Sequence, residues 1–495
     1  MTTTTSDTDG QYTLRDTPHP LARIGAHVIA SFADVETPAM VTSPLFQEVM
    51  SRLMDAAVTA ALLRDGQAEN GFLLKCSHSL WPNSDMNHPA NAKRDDETVT
   101  EKVRAWRTMP PSDTWPDAAC ALCGHQAVGF YGKADMMLAA SVDYRNTTPR
   151  GHAGTALCWP CICCFYAAPY GCYLTGGRTE ALHTWDSDFL AEAVDLQVSR
   201  NEMLMITGKR ASRTKVETLA LQTLRRYDHE TTAGIELVIF NNNNKGQALD
   251  TYAVDQPLAE WLRKSSRRNA HRDGFPTLVR AFTTPEPASK SGGKKGNATT
   301  TSGVENLAWA CFHRPWTIPR RLTSYIVGRS TALEGPTREA TPAVNLLTTY
   351  LHEVLKMNET DLQEIRDTAA RIALLFTEDD PGGKLTGFYT LFQRGNSARL
   401  RAWLQRHGIT WILDRPTDES ELVTSRGFEI LFSPAPDSYS WYYREYLLAC
   451  TISALFQRGW RPRDAEKAAQ DFDPDTITAK DIAVLDGTEA DPAAV

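Results

Sequence analysis

Apolar residues along this chain recur with two different periods, and the switch between them divides it. Phe46, Val49, Met50, Leu53, Met54, Ala57, Val58, Ala61 and Leu62 fall three or four apart. That spacing predicts an amphipathic helix, with Ser43 as its cap and Pro44 in its first turn. Ahead of it, His19 to Ala33 is a mostly apolar segment in which Ile24, Val28 and Ile29 pack inward. Gly71 to Trp81 reads as a strand, Pro82 to Thr98 as a polar loop, and Lys102 to Arg107 as a short charged helix. Residues 180 to 227 look mainly helical. Ile235 to Phe240 is a β-branched strand that runs into Asn241, Asn242, Asn243, Asn244, Lys245 and Gly246 and returns near Ala248 to Val254. A further helix begins near Pro257.

Beyond Thr341 only the helical period remains. Leu347, Tyr350, Leu351, Val354 and Leu355 mark one stripe. Leu362, Ile365, Ala369, Ile372 and Phe376 mark another, behind a capping box from Thr360 to Gln363. Two more helices are expected near Phe388 to Arg406 and Trp441 to Phe456. The pattern predicts an α+β fold: a mixed N-terminal domain carrying a zinc-binding cysteine module, then a C-terminal helical bundle. The expected parts are a disordered start at 1–12, an α/β part at 13–119, the cysteine module at 120–178 and a basic α/β part with the Asn-rich loop at 179–283. After these come a Ser-, Gly-, Lys- and Thr-rich flexible linker at 284–303, a connecting segment at 304–340, the bundle at 341–470 and an acidic tail at 471–495.

Composition changes this picture little, and charge changes it more. At 495 residues the chain is long enough for a large core, and its 42% hydrophobic and 23% charged content is that of an ordinary globular protein. Met1 to Gly10 shows neither a basic nor an apolar targeting region, so a cytoplasmic protein with reduced thiols is expected. The apolar run from Leu157 to Leu174 is broken by prolines and cysteines and reads as core, so no membrane partner is expected. Net charge is −8, but Asn201 to Arg329 holds 20 basic and 11 acidic residues. A basic middle in an acidic chain is the footprint of a nucleic-acid-facing surface.

Seven of the ten cysteines lie between Cys120 and Cys172. Cys120-Ala-Leu-Cys123-Gly124 and Cys158-Trp-Pro-Cys161 are two knuckles, each able to aim two thiolates at one tetrahedral cation. Zinc is the natural occupant of Cys120, Cys123, Cys158 and Cys161. Cys163 or Cys164 could replace Cys161, and His125 or His152 could substitute. A hairpin or small subdomain fills the gap between knuckles, with Phe130, Tyr131, Met136, Met137 and Leu138 lining it. The Pro-Cys-x-x-Cys run at 160–164 matches half of a nucleobase-deaminase signature, but no His or Cys has a Glu two residues on. The site therefore reads as structural and the chain as a non-enzyme.

Four consecutive amides exceed what a turn needs, and amides pair with base edges. Arg263, Lys264, Arg267, Arg268 and Arg272 follow within thirty residues. Trp309, Phe312, His313, Arg314, Trp316, Arg320 and Arg321 then interleave rings and cations, as stacking and phosphate contacts require. A turn, a solvated helix face and core aromatics are the structural alternatives.

In this order the chain resembles the large subunit of type I CRISPR interference complexes (Cascade), in particular the cysteine-bearing I-A and I-B families. The features that carry the resemblance are Cys120 to Gly124, Cys158 to Cys161 leading to Tyr166-Ala-Ala-Pro-Tyr-Gly171, the strand into the Asn-rich loop, and the helical bundle. Cys163, Cys164, Cys172 and the long linker depart from it. The resemblance implies a non-catalytic subunit that recognises the protospacer-adjacent motif (PAM) in double-stranded DNA and aids strand opening. It further implies that the subunit holds the displaced strand of the R-loop and recruits the helicase-nuclease. Its partners would be crRNA and the backbone and small subunits, with Asn241 to Asn244 at the PAM and Arg394, Arg399, Arg401, Arg444 and Arg458 along the displaced strand. The competing classes are a zinc-stabilised protein-binding scaffold and a metal-dependent enzyme. Against the enzyme, the chain has no His-Glu-x-x-His and no phosphate loop.

Overall fold

In a computed structural model, the described residues are 13–65, 71–139, 154–174, 177–208, 215–230, 232–242, 248–283, 302–331, 340–377, 382–392, 397–414, 421–435 and 438–460. The fold is α+β, mostly helical with small antiparallel sheets. It divides into two compact units, residues 1–259 and 260–495. Among the described residues no helix is long and apolar enough to cross a membrane.

Unit 1 is built around α1 (Pro20–Phe32), whose residues from Leu21 to Ala30 are all buried. It packs on α5 (Trp159–Ala167) and α6 (Ser187–Thr207). Gly25 permits this: a Cβ there would lie 1.8 Å from the Cys164 carbonyl oxygen. Arg23 fastens the same helix to α6 by donating to Ser187 Oγ at 2.6 Å. Of the remaining helices, α2 (Ser43–Leu62) buries Phe46, Val49, Leu53, Ala57, Val58 and Ala61 as its spacing predicts. Its N-cap is Thr42 and not Ser43, and no side chain caps it. Gly71 to Trp81 is not a strand but α3 (Phe72–Leu80): Lys75 and His78 are exposed three apart while Leu73, Leu74, Cys76, Ser77 and Leu80 are buried. The polar loop is also shorter than expected, because α4 (Asp96–Trp106) starts at Asp95, whose carboxylate accepts from Thr98 N at 2.7 Å.

The hairpin expected between the knuckles is β1 (Gly129–Tyr131) against β2 (Thr155–Leu157), with Phe130 opposite Ala156. A second, four-stranded antiparallel sheet has the order β3 (Tyr173–Leu174), β4 (Thr179–Thr184), β5 (Ile235–Asn241), β6 (Ala248–Val254). β5 and β6 are the predicted pair, in register from Ile235–Val254 to Asn241–Ala248. β4 replaces the first turns of the predicted helical stretch before α6 and α7 (Val216–Arg226). Its central Glu180-Ala181-Leu182 favours helix by propensity, and six-residue pairing with β5 overrides that preference.

The division between units falls within α8 (Gln256–Lys264). Unit 2 continues through α9 (Asn269–Arg272), α10 (Phe275–Ala281), α11 (Gly303–His313), α12 (Thr317–Thr331), α13 (Ala340–Thr349), α14 (Glu359–Ala373), α15 (Gly382–Thr390), α16 (Ser397–Asp414), α17 (Ser425–Phe432) and α18 (Ser440–Gln457). The helix expected over Phe388 to Arg406 is thus two helices, and the one expected over Trp441 to Phe456 is α18. α18 is the hub, packing on α12, α13, α14 and α17. The expected connecting segment contributes α11 and α12 to this unit. At the start of α14 the cap is Asn358, whose side chain accepts from Thr360 N and Asp361 N, in place of the capping box. The expected start at 1–12, residues 284–301 of the linker expected at 284–303, and the acidic tail lie outside the described residues, while Gly303 at the linker's expected end opens α11.

Candidate metal centre and basic surface

The first knuckle is a tight turn closed by two backbone bonds, Cys120 N to His125 O at 2.6 Å and Gly124 N to Cys120 O at 2.9 Å. Gly124 has φ +78°, the left-handed conformation its position after the second thiolate calls for. The second knuckle is a helix start: Cys158 is the N-cap of α5 and Cys161 stands one turn later. Ala121 N donates to Ala156 O and Val128 N to Leu157 O, both at 2.9 Å, so the β1–β2 ribbon brings the knuckles together.

The Sγ atoms of Cys120, Cys123, Cys158 and Cys161 all lie within 4.8 Å of one another, and Cys123 and Cys158 are 3.4 Å apart. A tetrahedron with ~2.3 Å metal–sulfur bonds places its sulfurs ~3.8 Å apart, so the set fits one cation. Hydrogen bonds from Cys158 and Cys161 hold the Cys120 thiol below its usual range, and the same bonds push Cys158 and Cys161 upward. The dipole of α5 further favours negative charge at its N-terminus. A dication here would replace shared protons as the group that reconciles four sulfurs. His125 Nδ1 lies 3.3 Å from Cys123 Sγ, beside the cluster and not within it.

The extra cysteines lie outside the four-sulfur cluster. Cys163 and Cys164 are fully buried in the core of unit 1, and burial pushes both thiols up. Cys172 is pushed up to about 12 by burial and donates to Ala168 O at 3.1 Å. Helical geometry decides the fourth position. Cys161 shares the side of α5 that carries Cys158, while Cys163 and Cys164 turn inward. His152 lies outside the described residues.

One residue beside the centre carries no sequence signature. Arg107 is buried, its guanidinium carbon 4.5 Å from the Trp81 ring centroid, 4.1 Å from Trp106 and 3.9 Å from Tyr166. Burial lowers it to about 10, and the negative ring faces compensate part of the lost hydration. Tyr166 belongs to α5, so this cage fixes the helix that presents Cys158 and Cys161.

The expected nucleic-acid residues fall into separate groups. Asn242 is fully buried. Its side-chain amide donates to Leu80 O, Lys133 O and Met136 O at 3.2 to 3.4 Å, and its backbone N–H donates to Ser79 O. It therefore holds the end of α3 against the insert between the knuckles. Asn241 is half-buried at the end of β5, and Asn243, Asn244 and Lys245 lie outside the described residues. Arg263 is buried against Glu260 at 2.9 Å, and Lys264 reaches Glu353 at 2.5 Å. Arg267, Arg268 and Arg272 are exposed, with Arg272 3.1 Å from Asp273. Of the ring-and-cation run, Phe312 is core, while Trp309 stacks on His313 and lies under Arg314. Trp316 is exposed. Compared with family models, curated proteins and solved structures, the chain matches none.

Proposed function

We propose that this chain is the large subunit of a type I CRISPR RNA-guided surveillance complex, with zinc held by Cys120, Cys123, Cys158 and Cys161. The supporting observation is the all-cysteine cluster formed by two knuckles, followed in chain order by the β5–β6 hairpin with its Asn-rich end and by a helical unit. Bound zinc supplies a structural crosslink between the first knuckle and α5, four sulfurs leaving it no open position. Asn242 then ties the module to the base of the β5–β6 loop, leaving Asn243, Asn244 and Lys245 as the PAM-reading candidates. Arg267, Arg268 and Arg272 bind DNA phosphate. Non-catalytic recognition, strand opening, R-loop stabilisation and helicase-nuclease recruitment in cytoplasmic antiviral defence follow from this reading.

Purification of the native complex tests it directly: short, uniform, repeat-derived RNA and a repeating backbone subunit should co-purify. In vitro, log K for duplex DNA should fall with log salt by ~0.9 per phosphate neutralised. The double charge reversal Arg267→Glu, Arg268→Glu should flatten that slope by about two phosphates, and an unchanged slope removes both residues from the interface. The ion pairs of Arg263 with Glu260 and of Lys264 with Glu353 take these two residues out of the phosphate surface, and the second reading is a zinc-stabilised protein-binding scaffold. Recovery of protein partners without RNA supports that instead.

A further inference from the structure

α16 buries Leu400, Leu404 and Trp411. Its other side is not the polar face that such a helix ordinarily shows to water. Ile409, Ile412 and Leu413 are 64%, 60% and 73% exposed. Arg399, Arg401 and Arg406 are exposed in the preceding turns. Arg399, Arg406, Ile409 and Leu413 are separated by seven, three and four residues, so they form one stripe, basic at its start and apolar at its end. Clustered exposed aliphatic side chains of this size mark an interaction surface.

One segment of the chain has the complementary chemistry. Residues 471–495 hold seven carboxylates against one lysine, together with Ile477, Ile482, Val484 and Leu485. That segment begins within reach. Trp460 donates its indole N–H to Thr377 O at 2.8 Å and packs against Phe376 at 5.4 Å between ring centroids. Phe376 meets Phe388 at 5.8 Å, and Phe388 meets Trp403 of α16 at 5.2 Å. Three ring contacts thus join the last described residue to α16. The apolar end of the stripe lies ~9–15 Å further along the helix, and ten residues of extended chain span up to ~33 Å.

We infer that residues 471–495 dock on the exposed stripe of α16, placing carboxylates over Arg399, Arg401 and Arg406 and aliphatic side chains on Ile409, Ile412 and Leu413. Because both halves belong to one chain, a modest pairing is held by high effective concentration. The three arginines are then withheld from any other polyanion. The inference stands apart from the proposed function, since no nucleic acid or partner protein enters it.

A fluorescent peptide of residues 471–495, titrated by anisotropy into the full chain and into a chain truncated after residue 470, tests the docking. The truncated chain should bind the peptide, and the full chain should bind it roughly tenfold more weakly, its own segment filling the stripe. Ile409→Asp or Leu413→Asp, surface changes that leave the circular dichroism spectrum intact, should weaken the peptide by roughly tenfold or more in the truncated chain. Arg399→Glu with Arg406→Glu should remove most of the salt dependence of binding. No binding to the truncated chain, equal binding to both chains, or indifference to Leu413→Asp overturns the inference. A truncated chain that dimerises, reverts to monomer on Leu413→Asp and ignores the peptide assigns the face to a second copy and overturns it equally.

Discussion

Cys161 and Cys163 stand two residues apart on α5 and are both buried, but Cys161 belongs to the four-sulfur cluster and Cys163 does not. Cys161→Ser should drop bound metal from about one ion per chain to none and destabilise unit 1, since structural metal binding is coupled to folding. Cys163→Ala should keep the metal and cost about 1 kcal/mol as a small cavity. Metal content by mass spectrometry beside thermal melts separates them, and metal kept by Cys161→Ser would mean a different ligand set. The clustering of these four cysteines was legible because two-residue gaps are the spacing that lets a turn aim both sulfurs at one point. Arg107 was not legible, because its cage is assembled from Trp81, Trp106 and Tyr166, which are neighbours only after folding. Nor does a run of four identical amides reveal that Asn242 is turned inward.

Between elements, the tightest demand is the approach of α1 to α5. A methyl group on Gly25 would overlap the Cys164 carbonyl at 1.8 Å, and that atom is backbone, which yields only if the helices separate. Gly25→Ala should therefore destabilise unit 1 by ~3 kcal/mol or more, although Ala is the better helix former. Urea unfolding checks this; a neutral or stabilising result would mean that α1 sits farther from α5. Long amphipathic elements such as α2 were read correctly because burial repeats along their whole length. The short ones failed in both directions. α3 mixes Lys75 and His78 into an apolar run that nine residues do not disambiguate, and β4 is a strand because β5 lies beside it.

At the scale of the molecule, the two units depend on different chemistry. Unit 1 carries the four-sulfur cluster that could hold a cation, whereas part of unit 2 is held by Glu353, which accepts from Lys264 and lies 3.1 Å from His271 Nε2. Burial raises the Glu353 carboxyl, but the hydrogen bonds and charges of His271 and Lys264 outweigh it and hold the group at about 2, against an ordinary 4.5. A depressed acid contributes stability above 4.5 and loses it as pH falls toward 2. Glu353→Gln should weaken unit 2 at neutral pH and remove up to ~1.4 kcal/mol per pH unit from the acid limb of its stability curve. Urea midpoints from pH 7 to 2 measure it, and parallel curves for the two proteins would refute it. The division into units was itself hidden, since it falls inside the continuous helix α8 while the abrupt change in composition lies at 284–303.

Arg23 of α1 meets Ser187 of α6 across 164 residues of chain. At ~5–20 residues per second, a ribosome needs roughly 8 to 30 s to make that intervening stretch. For most of that time the first described helix, with ten consecutive residues destined for burial, lacks α5 and α6, the two helices it packs on. An apolar helix left waiting in this way is open to whatever binds apolar segments near the tunnel exit, and that encounter bears on the yield of folded protein.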